Sequence, residues 1–210
     1  YNHSIQPEIL SPSSSSRDAK DKFQLYEEHG VKEYWIVFPE EKLIQIFTLE
    51  NGEYDLWKMF TSQDSVESSA LKGLDFSLTE VFEMIEDHFR RLEKMYLSSN
   101  VNQQLYESTS VTISNKRAEI SLTIEEKYFH ALGAIHGSVY FKLLDDAAFF
   151  AVNSLVMDKF VLTTNFNINL VRPVNAGKIT AVGELDFQSR NLFIASSRLL
   201  NSQGKEVAFG

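Results

Sequence analysis

Two short stretches carry residues that can do chemistry. The first is Gly133-x-x-His136-Gly137-Ser138, and the second is Asp145-Asp146, eight residues beyond Gly137. Gly137 stands where a long apolar helix is expected to begin. A glycine there lets a ligand come close to the backbone, and its N–H is one of the unpaired donors of a helix start. With the helix dipole behind it, that N–H can hold a developing negative oxygen. Asp145 is a carboxylate on a nearly all-apolar segment, so burial would raise its pKa and suit it to act as a base or nucleophile. Eight residues on a helix span about 12 Å, so one carbonyl carbon cannot meet Gly137 and Asp145 of the same chain. Joint action requires an antiparallel helix pair from two chains, and therefore a dimer with shared sites. Asp145 and Asp146 differ by about 100° around the helix, so one of them faces the site.

The elements that must position these residues are legible from periodicity. Residues 137–156 contain no Gly or Pro after Gly137 and are apolar on almost every face, as in a buried helix. Ala118, Ile120, Leu122 and Ile124 alternate with Arg117, Glu119, Ser121 and Thr123, which predicts a half-buried strand over 117–124. Strands are also expected over 161–171, 179–187, 192–200 and 206–210, with a turn at 201–204. One buried helix followed by four antiparallel strands predicts an α+β layer, a sheet wrapped around a helix.

Upstream, 11–16 (Ser-Pro-Ser-Ser-Ser-Ser) reads as a loop. A helix is expected over 18–29 with Gly30 as its stop, then strands over 34–38, 43–49 and 54–60. Asn51-Gly52 marks a hairpin between the last two. Residues 61–70 read as a loop. Ser77-Leu78-Thr79-Glu80 matches a capping box, and Phe82, Ile85, Phe89, Leu92 and Tyr96 form one stripe of a helix running to about 97. The boundary between two domains, 1–87 and 88–210, is placed inside this helix.

Charge supports the division. The chain has 210 residues and a net charge of −9; residues 1–88 carry −11 and residues 89–210 carry +2. An acidic first part is poorly suited to a phosphate backbone, so no nucleic-acid partner is expected. Cysteine is absent, which excludes disulfides and thiolate metal sites and fits a reducing compartment. No apolar run approaches the roughly 18 residues of a membrane span, so no membrane partner is expected and a cytoplasmic location is.

With Asp145 nine residues after His136, and with Thr163-x-x-Phe166-x-Ile168, Arg172-Pro173-x-x-x-Gly177 and Gly204-x-x-Val207-Ala208, residues from about 89 to 210 resemble the hotdog-fold thioesterases of the PaaI-like group. The resemblance implies hydrolysis of acyl-CoA thioesters to free acid and CoA, without a metal or other cofactor, in a homodimer or a dimer of dimers. It implies that the Gly137 N–H polarises the thioester carbonyl and that His136 shapes the turn. It also implies that Asp145 of the partner subunit activates water or attacks directly, and that Thr163 positions water or the carboxylate. His130 stands where the family usually has Asn, and Ser138 where it often has a second Gly; His130 still offers a hydrogen bond. Arg172, Lys178 and Arg190 are candidate partners for the CoA phosphates.

Residues from about 5 to 85 resemble the C-terminal half of the Uma2 family, which has a restriction-endonuclease-like fold. The resemblance rests on Glu8-Ile9-Leu10-Ser11-Pro12-Ser13, Asp18-x-x-x-Lys22, Tyr26, Gly30-Val31-x-Glu33-Tyr34-Trp35-Ile36-Val37 and Pro39. It places Glu8 and Lys22 on two positions of a divalent-ion site, but Ser4 stands in place of an aspartate, and Pro7 is expected to interrupt a buried strand. An inactive or packing module is the expectation for this part. A non-catalytic acyl-CoA-binding module and a Uma2-type metal-dependent nuclease are the alternatives for the whole.

Overall fold

The structure is a computed structural model, and it describes residues 4–10, 16–39, 41–157, 159, 161–189 and 191–210. Most of the loop expected over 11–16 lies outside the described residues. The chain divides into two compact units, Tyr1–Glu86 and Asp87–Gly210.

In the first unit, β1 (Ile5–Ile9) is followed by α1 (Ser16–Glu28), β2 (Glu33–Phe38), β3 (Leu43–Glu50), β4 (Glu53–Thr61), β5 (Ser65–Glu67) and β6 (Asp75–Ser77). The main sheet runs β1-β2-β3-β4, with β1 parallel to β2 and the rest antiparallel. Tyr34 and Trp35 are successive residues and so point to opposite faces. On one face Phe23 of α1 packs edge-on against Tyr34, Phe47 and Tyr54. On the other, Trp35, Ile44, Ile46, Phe60 and Val66 form a core with Leu78 and Phe82. Asn51 and Gly52 both have positive φ, 53° and 92°, as the hairpin turn requires. The expected loop over 61–70 contains β5, which pairs with β6. Pro7 does not interrupt β1: the strand runs through it, paired with Trp35, because β1 is an edge strand where a missing donor is tolerated.

Glu33 is fully buried. Its carboxylate accepts from Trp35 Nε1, Ser68 Oγ, the Ser69 N–H and hydroxyl, and the Ala70 N–H. Burial alone would raise its pKa; the hydrogen bonds outweigh that and hold it below the usual value.

The division between units falls within α2 (Leu78–Ser98). The capping box is weak: the Glu80 N–H lies 3.5 Å from Ser77 Oγ. In the second unit α2 is followed by α3 (Asn100–Leu105), β7 (Ser110–Ser114), β8 (Arg117–Thr123), a 3₁₀ turn at Glu126–Tyr128, α4 (Gly137–Asn153), β9 (Asn169–Leu170), β10 (Lys178–Gln188), β11 (Phe193–Asn201) and β12 (Glu206–Phe209). The sheet is antiparallel in the order β7-β8-β10-β11-β12-β9. It holds α4 in its concavity: Leu143, Leu144, Ala147 and Ala151 of the helix are buried with Ile120, Leu122, Ile179, Ala181 and Leu199 of the strands. Burying such side chains is worth about 1.5–3 kcal/mol each, which is why an apolar helix is stable here.

Three details fix the position of α4. A Cβ on Gly183 of β10 would lie 2.2 Å from the carbonyl of Ala147, so the glycine lets helix and sheet backbones touch. His88 Nε2 lies 2.9 Å from the Asn153 carbonyl, and Arg91 Nη2 lies 2.9 Å from His88 Nδ1. Because a guanidinium only donates, Nδ1 accepts and Nε2–H donates, tying α2 to the end of α4. The Ile113 N–H donates to the Glu93 carboxylate at 2.8 Å, which ties α2 to β7.

Two expectations are corrected. The strand expected over 161–171 is regular only at Asn169–Leu170, which pairs with Phe209 and Ala208. Residues 161–168 form no regular strand, although the Asn167 carbonyl and the Phe166 ring lie against Gly210. α3 and β7 were not expected. Asn100–Leu105 is mostly polar, and Ser110–Ser114 carries its apolar residues at Val111 and Ile113 only.

Candidate active site

His136 is the N-cap of α4. Its Nδ1 accepts from the Ser138 N–H at 3.1 Å and lies 2.8 Å from Ser138 Oγ. An imidazole nitrogen that accepts from an amide carries no proton, so Nε2 bears it. The approach to this cap is a tight loop: His130 N–H donates to the Ala134 carbonyl, and His136 N–H to that of Tyr128. His130 Nδ1 accepts from the Leu132 N–H at 3.0 Å. The proton of that ring is then on Nε2, so His130 keeps a donor of the kind expected of it. With Ser138 and Val139 directed to His136, the Gly137 N–H has no acceptor among the described residues. A Cβ at Gly137 would meet Leu170 Cδ1 at 3.4 Å, an ordinary contact, so the glycine keeps the amide approachable rather than relieving a clash.

Asp145 lies two turns further along α4. Its Oδ1 accepts from Thr163 Oγ1 at 3.0 Å. Desolvation pushes the Asp145 carboxyl above its usual value; the Thr163 hydroxyl opposes this, the Asp146 charge adds to it, and Lys142 opposes it. Asp146 turns away and forms an i,i+4 ion pair with Lys142, whose Nζ also lies 5.0 Å from the Tyr96 ring and 5.1 Å from that of Tyr106. Adjacent carboxylates thus have different surroundings, one neutralised by a lysine and one left for a cavity.

That cavity is lined by Asp145, Ala148, Phe149 and Val152 of α4, by Thr163 to Phe166, and by Phe193 of β11. Ala148, Phe149 and Val152 follow Asp145 at +3, +4 and +7, so helical spacing alone marks them as sharing its face. Phe166, from the irregular segment, packs edge-on against Phe141 at 5.5 Å.

Gly137, His136, His130, Arg172 and Lys178 do not line this cavity. Arg172 Nη1 donates to the Glu206 carbonyl, while its backbone N–H bonds to Val207. Lys178 opens β10, exposed and opposite Thr123. Arg190 lies outside the described residues. The structure brings Asp145 and Thr163 together and keeps Gly137 with His136 at the helix start. In the first unit, Lys22 Nζ lies 2.7 Å from Glu8 Oε1, an ion pair. Among the described residues no group of three or more His, Asp or Glu side chains is gathered as for a metal ion.

A helix cradled in an antiparallel sheet, with a carboxylate two turns after a glycine-led start, defines the second unit as a hotdog domain; residues 132–208 match the thioesterase superfamily. Its solved likenesses include PaaI from the phenylacetic acid degradation operon of E. coli, at 21% identity over 59% of this chain and 88% of that one, with a TM-score of 0.54. Zebra fish thioesterase superfamily member 2 is 17% identical over 58% and 92%, with a TM-score of 0.52. A thioesterase from Haemophilus influenzae is 20% identical over 58% and 84%, with a TM-score of 0.51. Residues 7–79 match Uma2, a family described as a restriction endonuclease. No curated protein matches the chain.

Proposed function

We propose that the second unit hydrolyses acyl-CoA thioesters to free acid and CoA, as a homodimer with sites shared between subunits. The observation that carries this reading is the Asp145–Thr163 pair at 3.0 Å on the wall of the cavity, with the carboxyl raised by burial. The match of residues 132–208 to the thioesterase superfamily supports the same chemistry.

In this mechanism the thioester carbonyl sits at the start of α4 of one subunit. The free Gly137 N–H and the helix dipole stabilise the oxyanion as the carbonyl carbon becomes tetrahedral. The partner subunit's Asp145 takes a proton from water as the oxygen attacks, or attacks the carbon itself; the C–S bond then breaks and the CoA thiolate leaves, and on the second route water hydrolyses the resulting mixed anhydride to release the acid and restore the carboxylate. Thr163 donates to one carboxylate oxygen and so directs the other toward the reactants. His136 holds the cap and leaves the Gly137 amide aimed outward. No cofactor takes part in these steps. Arg172, Lys178 and Arg190 are the candidates to meet CoA phosphates.

The dimer is supported by what a single chain leaves uncovered. Leu132 is 91% exposed and Leu162 77%, and Phe141, Leu170 and Val171 are also exposed. Apolar exposure on this scale marks an interaction face. The first unit is proposed as a non-catalytic packing module, because Glu8 is engaged by Lys22. Among the described residues no helix is long and apolar enough to cross a membrane.

The test is free-CoA release from short, long and aryl acyl-CoA thioesters by the wild type and by Asp145→Ala. Turnover that disappears in a folded, dimeric variant is the expected result. A folded, dimeric wild type that turns over no thioester would remove the hydrolase reading.

A further inference from the structure

Asp145 and Asp146 share one lysine at helical spacing. Lys142 stands three residues before Asp145 and four before Asp146, and side chains meet at either spacing on a helix. It pairs with Asp146, while Asp145 is left with Thr163. Two rings from outside α4 stand on the Asp146 side of this choice. The Lys142 ammonium lies 5.0 Å from the centre of the Tyr96 ring and 5.1 Å from that of Tyr106. A cation is attracted to the face of such rings. Both rings are themselves held in place. Tyr96 is buried and packs edge-on against Phe150 at 5.3 Å. Tyr106 stacks on Tyr128 at 5.4 Å with an interplanar angle of 11°. Burial and the Asp146 charge push both phenols above their usual value, so the rings meet Lys142 uncharged. The Lys142 side chain is 16% exposed. To reach Asp145, its ammonium must leave both rings and the Asp146 carboxylate together. The remaining groups beside Asp145 are the Thr163 hydroxyl, from the segment beyond α4, and Lys159, the other charged residue described on the wall of the same cavity.

We propose that Lys142 is a positioning residue: clamped on Asp146 by Tyr96 and Tyr106, it is kept from Asp145, which stays unpaired for its part in the reaction. The role in the reaction rests on the thioesterase reading above; the clamp itself does not. An ammonium on Asp145 would favour the ionised carboxylate and make it a weaker base. Asp146 therefore acts at a distance from the substrate, by occupying the lysine.

The test follows the Asp145 carboxyl carbon by NMR against pH in the full chain, with the signal assigned by its loss in Asp145→Asn. Asp146→Asn frees Lys142 to swing to Asp145, and the midpoint should fall by about one pH unit or more. In a Lys142→Met background no ammonium can swing, and adding Asp146→Asn should move the midpoint less than half as far. Tyr106→Leu opens the clamp and should lower the midpoint, whereas Tyr106→Phe keeps the ring and should leave it in place. A midpoint unmoved by Asp146→Asn, or moved equally with and without Lys142, would overturn the proposal. Should Asp146→Asn not fold, the Tyr106 pair decides alone, and equal midpoints for the two variants overturn it. No substrate enters this measurement. A protein that turns over no thioester but shows these shifts would lose the hydrolase reading and keep the clamp. In an active protein the ascending limb of the kcat/KM–pH profile should move with the carboxyl; a limb that stays put while the carboxyl moves would overturn the part of Lys142 in the reaction.

Discussion

Gly183→Ala should both loosen the second unit and disturb its site. The added Cβ would stand 2.2 Å from the carbonyl carbon and oxygen of Ala147 and 2.6 Å from the amide nitrogen of Ala148. These are backbone atoms and cannot swing aside. β10 is held on both flanks, with Gly183 opposite Ala118 of β8 and Ser197 of β11, so α4 is the element that must move. Restoring an ordinary 3.4 Å contact requires a shift of about 1.2 Å. Overpacking of this kind costs about 1–3 kcal/mol. At about 3–6 °C per kcal/mol for a unit of this size, the loss in Tm is about 3–18 °C. Asp145 lies two residues before Ala147, and its 3.0 Å bond to Thr163 cannot survive such a displacement. A misplacement of 1 Å can lower kcat by up to about 10²-fold. Thermal unfolding of the full chain, followed for the second unit's transition, reads the first effect. CoA release measured well below Tm reads the second. A variant within about 1 °C of wild type in Tm and unchanged in kcat would show that Gly183 does not set the helix–sheet distance.

The remaining predictions concern protons, caps and surfaces. Since the folded pKa of Asp145 lies above that of an unfolded aspartate, about 3.9, the folded state holds the proton more tightly. Stability therefore falls as pH rises through the interval between the two values, and Asp145→Asn should be more thermostable than wild type at neutral pH while losing turnover. The same shift places the ascending limb of the kcat/KM–pH profile above the ordinary aspartate range; Thr163→Val, which removes the opposing hydrogen bond, should move that limb further up. Glu33 has the opposite sign: its lowered pKa contributes stability above the unfolded value that is lost as pH falls through the folded one. Glu33→Gln should cost the first unit about 1–3 kcal/mol by denaturant titration near pH 7, because the amide turns a donor toward groups that are themselves donors. Leu170→Glu, on the exposed edge strand, should shift the chain from a dimer toward its 24.0 kDa monomer in light scattering.

Much of this arrangement is readable from residue order. A run without Gly or Pro after Gly137, apolar on almost every face, makes α4 visible, and the 100° between Asp145 and Asp146 already separates their roles; the structure gives Asp145 to the cavity and Asp146 to Lys142. The alternation of Ala118, Ile120 and Leu122 shows β8 because those residues face a core. The Asp145–Thr163 bond joins residues 18 positions apart across a segment of irregular backbone, so no period reports it. Phe166, Ile168 and Leu170 alternate as a strand does, yet the regular ladder is confined to Asn169–Leu170. α3 and β7 were hidden for a different reason: their positions come from Glu93 receiving the Ile113 N–H, and from an Asn102 side chain donating to the Tyr96 carbonyl. Polar contacts of that kind leave no hydrophobic signature.

Pro7 bears on how the first unit behaves at high concentration. β1 is five residues long and, among the described residues, has a strand on one side only, β2. A proline at the middle of that edge supplies no donor, and an arriving strand finds a gap at the centre of the ladder it would extend. Replacing Pro7 with valine would restore the missing donor and lengthen the usable edge. Pro7 thus blunts one edge of the sheet; the other edge, β4, is nine residues long and carries no proline, so edge-to-edge pairing would fall to that side.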